Sequence, residues 1–427
     1  MENSARSPQE RSDEWKKLGN GYFTEGHMNL AVENYTKAIS CLDSNDKLLA
    51  PLYSNRSLAQ FKLENYGASL TDSESAIAVD PLFPKSYYRK SSCLFVLGRL
   101  GEAIQELLHI QKTLGISGNS EVNDKIKYLR QLKREREFYS CIQYEDELEK
   151  LDVERIEVES SYQGPVIDRK EPLTREKVME IIQYLKDQKK LHKKYLWVLC
   201  LWAIDVMSAE PNMVEVTVDG SQCREIVVCG DIRGQYYDLL NIFNANEYPC
   251  RERPYLFNGD FVDRGSFSVE CVIALFLFKV LDPKCIYLNR GNHENPDMNK
   301  MYGFEGEVLA KYCADTFIVF KNVFYALPLA HCLNKKVLVL HGGLFEKEDV
   351  RLEDLNKINR KQPIPSVGLM CDMLWADPCN EQGRSKSQRG VSIQFGPDVA
   401  ERFLDLNNLG ELTRALGQVS SDEGGGL

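Results

Sequence analysis

Aspartate, asparagine and histidine recur in four short glycine-containing stretches, each directly after an apolar run rich in β-formers. They are Ile226-Val227-Val228-Cys229-Gly230-Asp231-Ile232-Arg233-Gly234-Gln235; Tyr255-Leu256-Phe257 leading to Gly259-Asp260-Phe261-Val262-Asp263-Arg264-Gly265; Ile286-Tyr287-Leu288-Asn289-Arg290-Gly291-Asn292-His293-Glu294; and Val337-Leu338-Val339-Leu340-His341-Gly342-Gly343-Leu344. One Asp-Gly or Asp-Arg pair alone is an ordinary turn. Four loops on one plan point to a single site at the rim of an α/β sheet, where the ends of strands bind phosphates and metals. Hard oxygen donors mixed with imidazole suit a pair of ions such as manganese, iron or zinc rather than calcium.

The elements that must hold these loops are legible around them. A long apolar helix is predicted over Ser268–Leu281, after the second loop, and from Glu225 onward β-type runs alternate with helices. Residues 174–208 read as two amphipathic helices, with the basic 186–194 stretch a solvated turn and helix end. The longest apolar run, 195–207, is interrupted by Asp205 and is too short to cross a bilayer, which predicts a buried helix.

The first hundred residues follow another period. Ala31, Ser69 and Ala103 occupy matching small-residue positions, spaced 38 and then 34 apart. A period near 34 is the signature of the tetratricopeptide (TPR) helical repeat, the longer first step being absorbed by a loop around 44–47. Leu18, Gly19, Tyr22, Ala31, Tyr35 and Ala38 fill the first repeat, and Asp80-Pro81 closes the second. Residues 121–159 are dense in charge, with Ile126, Leu129 and Leu132 at helical spacing, and read as a capping helix running into an acidic linker around 146–159.

The net charge of −10 argues against a nucleic-acid partner, which normally meets a basic stripe. The start, Met1 to Lys17, has no apolar signal-peptide core. Thirteen cysteines without CxxC pairs read as reduced thiols. Cytoplasm, with the nucleus second, is the expected compartment.

The order and wording of the four loops resemble the metal-dependent serine/threonine protein phosphatases, and within them the TPR-containing type 5 family. Tyr302-Gly303-Phe304-Glu305-Gly306-Glu307, Asp372-Met373-Leu374-Trp375-Ala376-Asp377-Pro378 and Arg389-Gly390-Val391-Ser392 extend the resemblance, which runs from about residue 12 to Leu409. It implies an all-α TPR superhelix followed by an α/β metallophosphatase β-sandwich. The expected organisation is a polar tail (1–11), three TPR repeats (12–115), a capping helix and acidic linker (116–160), a catalytic domain cut short at its C-terminal end (161–409) and a divergent Gly/Ser-rich tail (410–427).

By the same resemblance, the activity is hydrolysis of phosphoserine and phosphothreonine in proteins by a water acidified between two divalent ions. Asp260 would bridge the ions, Asp231 would hold the first, and Asn292 and His341 the second. Arg264 and Arg389 would fork onto the phosphate, and His293, kept cationic by Asp263, would give a proton to the leaving oxygen. In the TPR groove, Lys16, Asn20, Asn55, Lys85 and Arg89, with Lys62 as helper, would clamp the acidic C-terminal peptide of a ninety-kilodalton heat-shock chaperone.

Two departures from the family pattern bear on activity. Relatives carry a metal-ligating histidine where this chain has Arg233, and a guanidinium does not coordinate; it would instead pair with Asp231 or Asp260. The family's second-metal histidine in an Arg-Ser-His-Glu segment has no counterpart, because no histidine follows His341. Reduced turnover is therefore expected. The alternative is a catalytically silent adaptor that binds the chaperone peptide.

Overall fold

The computed structural model describes residues 7–44, 46–113, 120–139 and 151–415. The chain forms two compact units: residues 1–143 with 386–391 and 418–427, and residues 144–385 with 392–417.

The first unit is built of helices α1 (Pro8–Glu25), α2 (Met28–Ser40), α3 (Leu49–Lys62), α4 (Tyr66–Val79), α5 (Pro84–Val96), α6 (Leu100–Thr113) and α7 (Ser120–Tyr139). The first six pack as the antiparallel pairs α1/α2, α3/α4 and α5/α6, and α7 closes the stack against α6. Ala31, Ser69 and Ala103 lie in the second helix of each pair and are wholly buried, so the repeat period marks where helices cross closely. At Gly19 a Cβ would stand 2.7 Å from the Tyr35 ring, so only glycine fits that crossing.

The first helix starts at Pro8, four residues before the expected boundary at 12. A capping box explains the difference: Ser7 Oγ accepts from the Glu10 N–H, and the Glu10 carboxylate accepts from the Ser7 N–H. The capping helix is present as α7 and buries Val122, Ile126, Leu129 and Leu132. The first six residues and the 140–150 part of the predicted linker lie outside the described residues.

The second unit opens with α8 (Arg175–Lys186), capped by Thr174, and α9 (Lys193–Ser208), whose Leu196, Trp197, Leu199, Cys200, Ala203 and Met207 are buried as the apolar run predicts. No helix among the described residues is long and apolar enough to cross a membrane. The described cysteines are all free thiols.

Three sheets follow. One is mixed, in the order β1 (Met213–Val216), β5 (Ala330–Leu333), β6 (Val337–Leu340), β10 (Glu411–Arg414). The second is parallel, β2 (Val227–Cys229), β3 (Tyr255–Phe257), β4 (Ile286–Leu288). The third is small, β7 (Asp377–Pro378), β9 (Ile393–Phe395), β8 (Arg384–Lys386).

Helices α10 (Tyr236–Asn246), α11 (Ser268–Leu281), α12 (Pro296–Tyr302), α13 (Phe304–Lys311), α14 (Ala314–Ala326), α15 (Leu352–Leu355), α16 (Leu369–Trp375) and α17 (Pro397–Leu406) complete the unit. Helix α11 has the predicted bounds and is buried along almost its whole length, with Val269, Val272, Ile273, Leu275, Phe276 and Phe278 in the main core. Burying each such side chain contributes about 1.5–3 kcal/mol. That packing anchors the far end of the Gly259–Gly265 loop.

The catalytic unit does not end at Leu409. β10 pairs in parallel with β6, Arg414 opposite Leu340, and the Ala415 N–H donates to the His341 carbonyl at 3.3 Å. The first residues of the expected divergent tail thus cover the β6 edge, which would otherwise present unpaired donors and acceptors. Residues 416–427 lie outside the described residues.

Candidate active site

Because β2, β3 and β4 are parallel neighbours, the loops after Cys229, Phe257 and Leu288 leave on one rim. Asn258 ties that rim to the other sheet: its Nδ2 donates to the Leu340 carbonyl at 2.8 Å, and Asn289 Nδ2 donates both to Asn258 Oδ1 (2.7 Å) and to the Val339 carbonyl (3.1 Å). The His341 loop is thereby brought to the same rim.

Backbone geometry then aims the carboxylates. Gly259 has φ +90°, and a Cβ there would meet the Gly291 backbone at 2.6 Å, so only glycine lets the β3 and β4 loops touch. Asp260 follows at φ +57°, a conformation that costs energy for a non-glycine residue and persists only when its surroundings fix it. They do: its carbonyl accepts from the N–H groups of Ile232 (3.0 Å) and Arg233 (2.9 Å). Its own N–H donates to Glu294 Oε2 at 2.7 Å.

Glu294 also accepts from Phe261 N–H (2.8 Å) and Gly291 N–H (2.8 Å), so one wholly buried carboxylate braces two loops. Burial and the neighbouring Asp260 charge push its pKa up to about 7, against the three N–H donors. Nothing in the sequence reading assigned Glu294 a role, although it closes the Gly291-Asn292-His293-Glu294 motif. Asn258 and Asn289 were likewise missed.

Asp231, Asp260 and His341 each offer a ligand atom, all within 4.8 Å of one another. His341 donates from Nδ1 to the Asn258 carbonyl at 2.7 Å, which turns its Nε2 toward Asp260 Oδ2, 3.3 Å away. That is the support a metal-ligating imidazole needs. Burial favours the neutral ring, but the charges of Asp260 and Asp231 raise its pKa, and an arriving cation would displace the proton. Although burial opposes its ionisation, Asp260 is held well below the usual carboxylate range, first by the Arg233 guanidinium and then by His341. Burial and the Asp260 charge raise Asp231. Asn292 presents a buried Oδ1 with no hydrogen-bond partner. Asp260 and His341, with an unpartnered amide oxygen on the β4 loop that carries Asn292, therefore offer donor types that fit a divalent ion.

The Asp231 half is different. Arg233 Nη2 lies 2.9 Å from Asp231 Oδ2 and 2.7 Å from Asp260 Oδ2, and its Nε donates to Asp231 at 3.1 Å. The pairing expected from sequence is thus made with both carboxylates at once. At about 4 Å and an effective dielectric of about 20, a divalent ion and a guanidinium repel by about 8 kcal/mol, so the donors on this side do not fit an ion while Arg233 is in place.

His293 is buried beside them. Its Nδ1 donates to Asp263 Oδ2 at 2.7 Å, and Asp263 is fixed in turn by Asn299 Nδ2 (3.1 Å) and the Phe304 N–H (3.0 Å). The Asp263–His293 pair stands as expected, but the other ring nitrogen does not. Arg233 Nη1 lies 2.5 Å from His293 Nε2, and a guanidinium can only donate. In this arrangement Nε2 accepts and the ring is neutral, which corrects the expectation of a cationic His293 with Nε2–H ready for a leaving group.

The calcineurin-like phosphoesterase profile matches residues 224–410, which hold all four loops, and a profile described as the PPP5 TPR repeat region matches 126–215. Human serine/threonine-protein phosphatase 5 is 42% identical over 409 residues, 95% of this chain and 80% of that one. This chain belongs to the type 5 serine/threonine protein phosphatase family. Serine/threonine-protein phosphatase T of Aspergillus oryzae is 41% identical over 96% of this chain and 85% of its own length. A solved serine/threonine phosphatase from Saccharomyces cerevisiae, described as similar to human phosphatase PP5, is 41% identical and superposes with a TM-score of 0.54, over 55% of this chain and 76% of that one.

Membership in the type 5 phosphatases sets the remaining residues in context. Arg264 is exposed, at φ +64°, with its guanidinium over the Tyr302 ring at 5.4 Å. Arg389 lies in the 386–391 segment grouped with the helical unit, and there Nη1 meets Glu64 Oε2 at 3.2 Å. In the type 5 helical unit, Lys16 and Asn20 lie on α1, Asn55 on α3, and Lys85 and Arg89 on α5: always the first helix of a pair. Asn20 Oδ1 accepts from Tyr35 Oη (2.8 Å) and Asn55 Nδ2 (3.2 Å). Arg89 keeps a buried Nε without a hydrogen-bond partner. His331 is buried with Nδ1 2.7 Å from Asn289 Oδ1.

Proposed function

We propose that this chain hydrolyses phosphoserine and phosphothreonine esters with strongly reduced turnover, and that its TPR groove brings it to phosphoprotein clients by binding the acidic C-terminal peptide of a ninety-kilodalton heat-shock chaperone. The single observation that carries the reduction is the Arg233 guanidinium, held between Asp231 and Asp260 and against His293. Divalent ions, manganese or iron and zinc, supply an acidified water as nucleophile when bound.

The protein's own groups do the rest. Asp260, Asn292 and His341 would hold an ion, and Asp231 would serve a second only with Arg233 swung out. Arg264 and Arg389 grip the phosphoryl oxygens as planar forks. Once Arg233 releases it, His293 Nε2 can take a proton from solvent, and the imidazolium, oriented by Asp263, would give that proton to the departing alkoxide. The chain works in the cytoplasm, with entry to the nucleus, and has no nucleic-acid partner, in keeping with its net charge of −10.

Manganese-supported hydrolysis of a phosphoserine peptide, with Asp260→Asn as the blank, tests this reading. Slow turnover above the blank is expected, and turnover equal to the blank in a folded sample defeats it. In that event the second reading takes over, a silent adaptor. It is favoured by the basic and amide side chains of the groove, all placed on α1, α3 and α5.

A further inference from the structure

Resting on the phosphatase reading of the loop site, we propose that Arg233 is a resident cation standing in the place of one metal ion, so that the chain holds a single divalent ion, on Asp260, Asn292 and His341.

Among the described residues, Asp231, Asp260 and His341 are the group of acidic and imidazole donors close enough to hold an ion. The guanidinium stands inside that group. Its Nη2 reaches Asp231 Oδ2 at 2.9 Å and Asp260 Oδ2 at 2.7 Å, and its Nη1 reaches His293 Nε2 at 2.5 Å. The fork thus spans two carboxylates and an imidazole while leaving the side chain only 19% exposed.

The placement is built into the loop. The Arg233 N–H donates to the Asp260 carbonyl at 2.9 Å, the Arg233 carbonyl accepts from the Gly265 N–H at 2.9 Å, and φ is +51°. A backbone pinned on both sides in a left-handed conformation points one side chain at one place.

A guanidinium has no lone pair to offer and keeps its charge at any working pH. It neutralises the carboxylates as an ion would, but permanently. What remains for an ion is the other half of the site. His341 Nε2 is steered by the bond from Nδ1 to the Asn258 carbonyl, Asn292 has its buried unpartnered Oδ1, and Asp260 shares its Oδ2 between Arg233 and His341. The second oxygen, Asp260 Oδ1, is already occupied by the His293 N–H at 2.9 Å.

The test counts manganese(II) bound to the full chain, by elemental analysis after gel filtration and by calorimetric titration, with circular dichroism confirming the fold. One ion per chain is expected. Asp231→Asn keeps that count, His341→Ala loses the ion, and Arg233→His, which replaces the cation with a donor, raises the count to two. Two ions or none in the unaltered chain overturns the proposal. So does loss of the ion in Asp231→Asn, its retention in His341→Ala, or a folded Arg233→His that still binds one. If Arg233→His fails to fold, the unaltered chain and the other two variants decide the matter. No substrate enters these measurements, so a chain that fails to hydrolyse phosphopeptides can still be shown to hold one ion.

Discussion

The helical groove and the loop site both gather cations, yet they treat them in opposite ways. In the groove, Arg89 is half-buried, with a buried Nε lacking a hydrogen-bond partner, and desolvation lowers its pKa. Lys125, nearby on α7, is pushed down to about 8. Glu121, whose carboxylate accepts from Tyr88 Oη, opposes both shifts through its charge. In the loop site, Arg233 has two carboxylates of its own. The difference is one of contact: two carboxylates touch the Arg233 guanidinium, whereas burial wins over the charge of Glu121 at Arg89 and Lys125.

The comparison breaks first at Asp260. If Arg233 is structural, Asp260→Ala leaves a half-buried guanidinium short of a partner and strips a wholly buried carboxylate from the His293 N–H. Removing one member of a buried pair costs about 3–5 kcal/mol. Urea unfolding of the full chain should show that loss in the transition reporting on the second unit; a loss below about 1 kcal/mol would mean that Arg233 finds water instead.

On the groove side, Lys85→Ala combined with Arg89→Ala removes two cations from α5. Hydrogen bonds to charged groups contribute about 1.5–3 kcal/mol each, so an acidic C-terminal peptide should bind at least about 100-fold more weakly in a calorimetric titration, while Arg233→Ala leaves its affinity unchanged. Equal affinities for the double variant and the unaltered protein would count against the groove.

Glu294→Gln should cost less, about 1–3 kcal/mol, because one of the two oxygens that accept three N–H groups becomes a donor facing a donor. The thermal midpoint is the readout, and an unchanged value would show that Glu294 does not brace the loops.

Much of this was legible in the sequence because strand, glycine turn and aspartate are local signals. The four loops, α11 and the small-residue crossings at Ala31, Ser69 and Ala103 all rest on spacing within about thirty-eight residues. What was not legible depends on partners far along the chain. Glu294 looks like an ordinary loop acid until the Asp260 and Phe261 N–H groups are seen to converge on it. Arg233 could be foreseen to pair with a carboxylate, but its bond to His293 Nε2, sixty residues away, could not. The Glu411–Arg414 strand is four residues with a charge at each end, a signal too short to read until β6 offers its edge.

The smallest effect sharpens the contrast most. Burial lowers the Lys125 ammonium from its usual range to about 8, the Arg89 charge adding to this while Glu121 and Cys93 oppose it. Its Nζ donates to Ser92 Oγ at 2.7 Å and sits 4.0 Å above the Tyr88 ring, and the charge of Glu121 offsets its burial only in part. An unfolded chain keeps that proton until about pH 10.4, so between pH 8 and about 10.4 the unfolded state binds more protons than the folded one. Folding stability therefore gains from Lys125 as pH rises through this window, by about 1 kcal/mol between pH 8 and pH 9. Lys125→Met should remove that increment, so the gap in unfolding free energy between the two proteins widens in favour of the unaltered one on going from pH 8 to pH 9. A gap that stays constant would show that the Lys125 charge is already compensated inside the fold, as that of Arg233 is, and the contrast between the two regions would then fail at this residue.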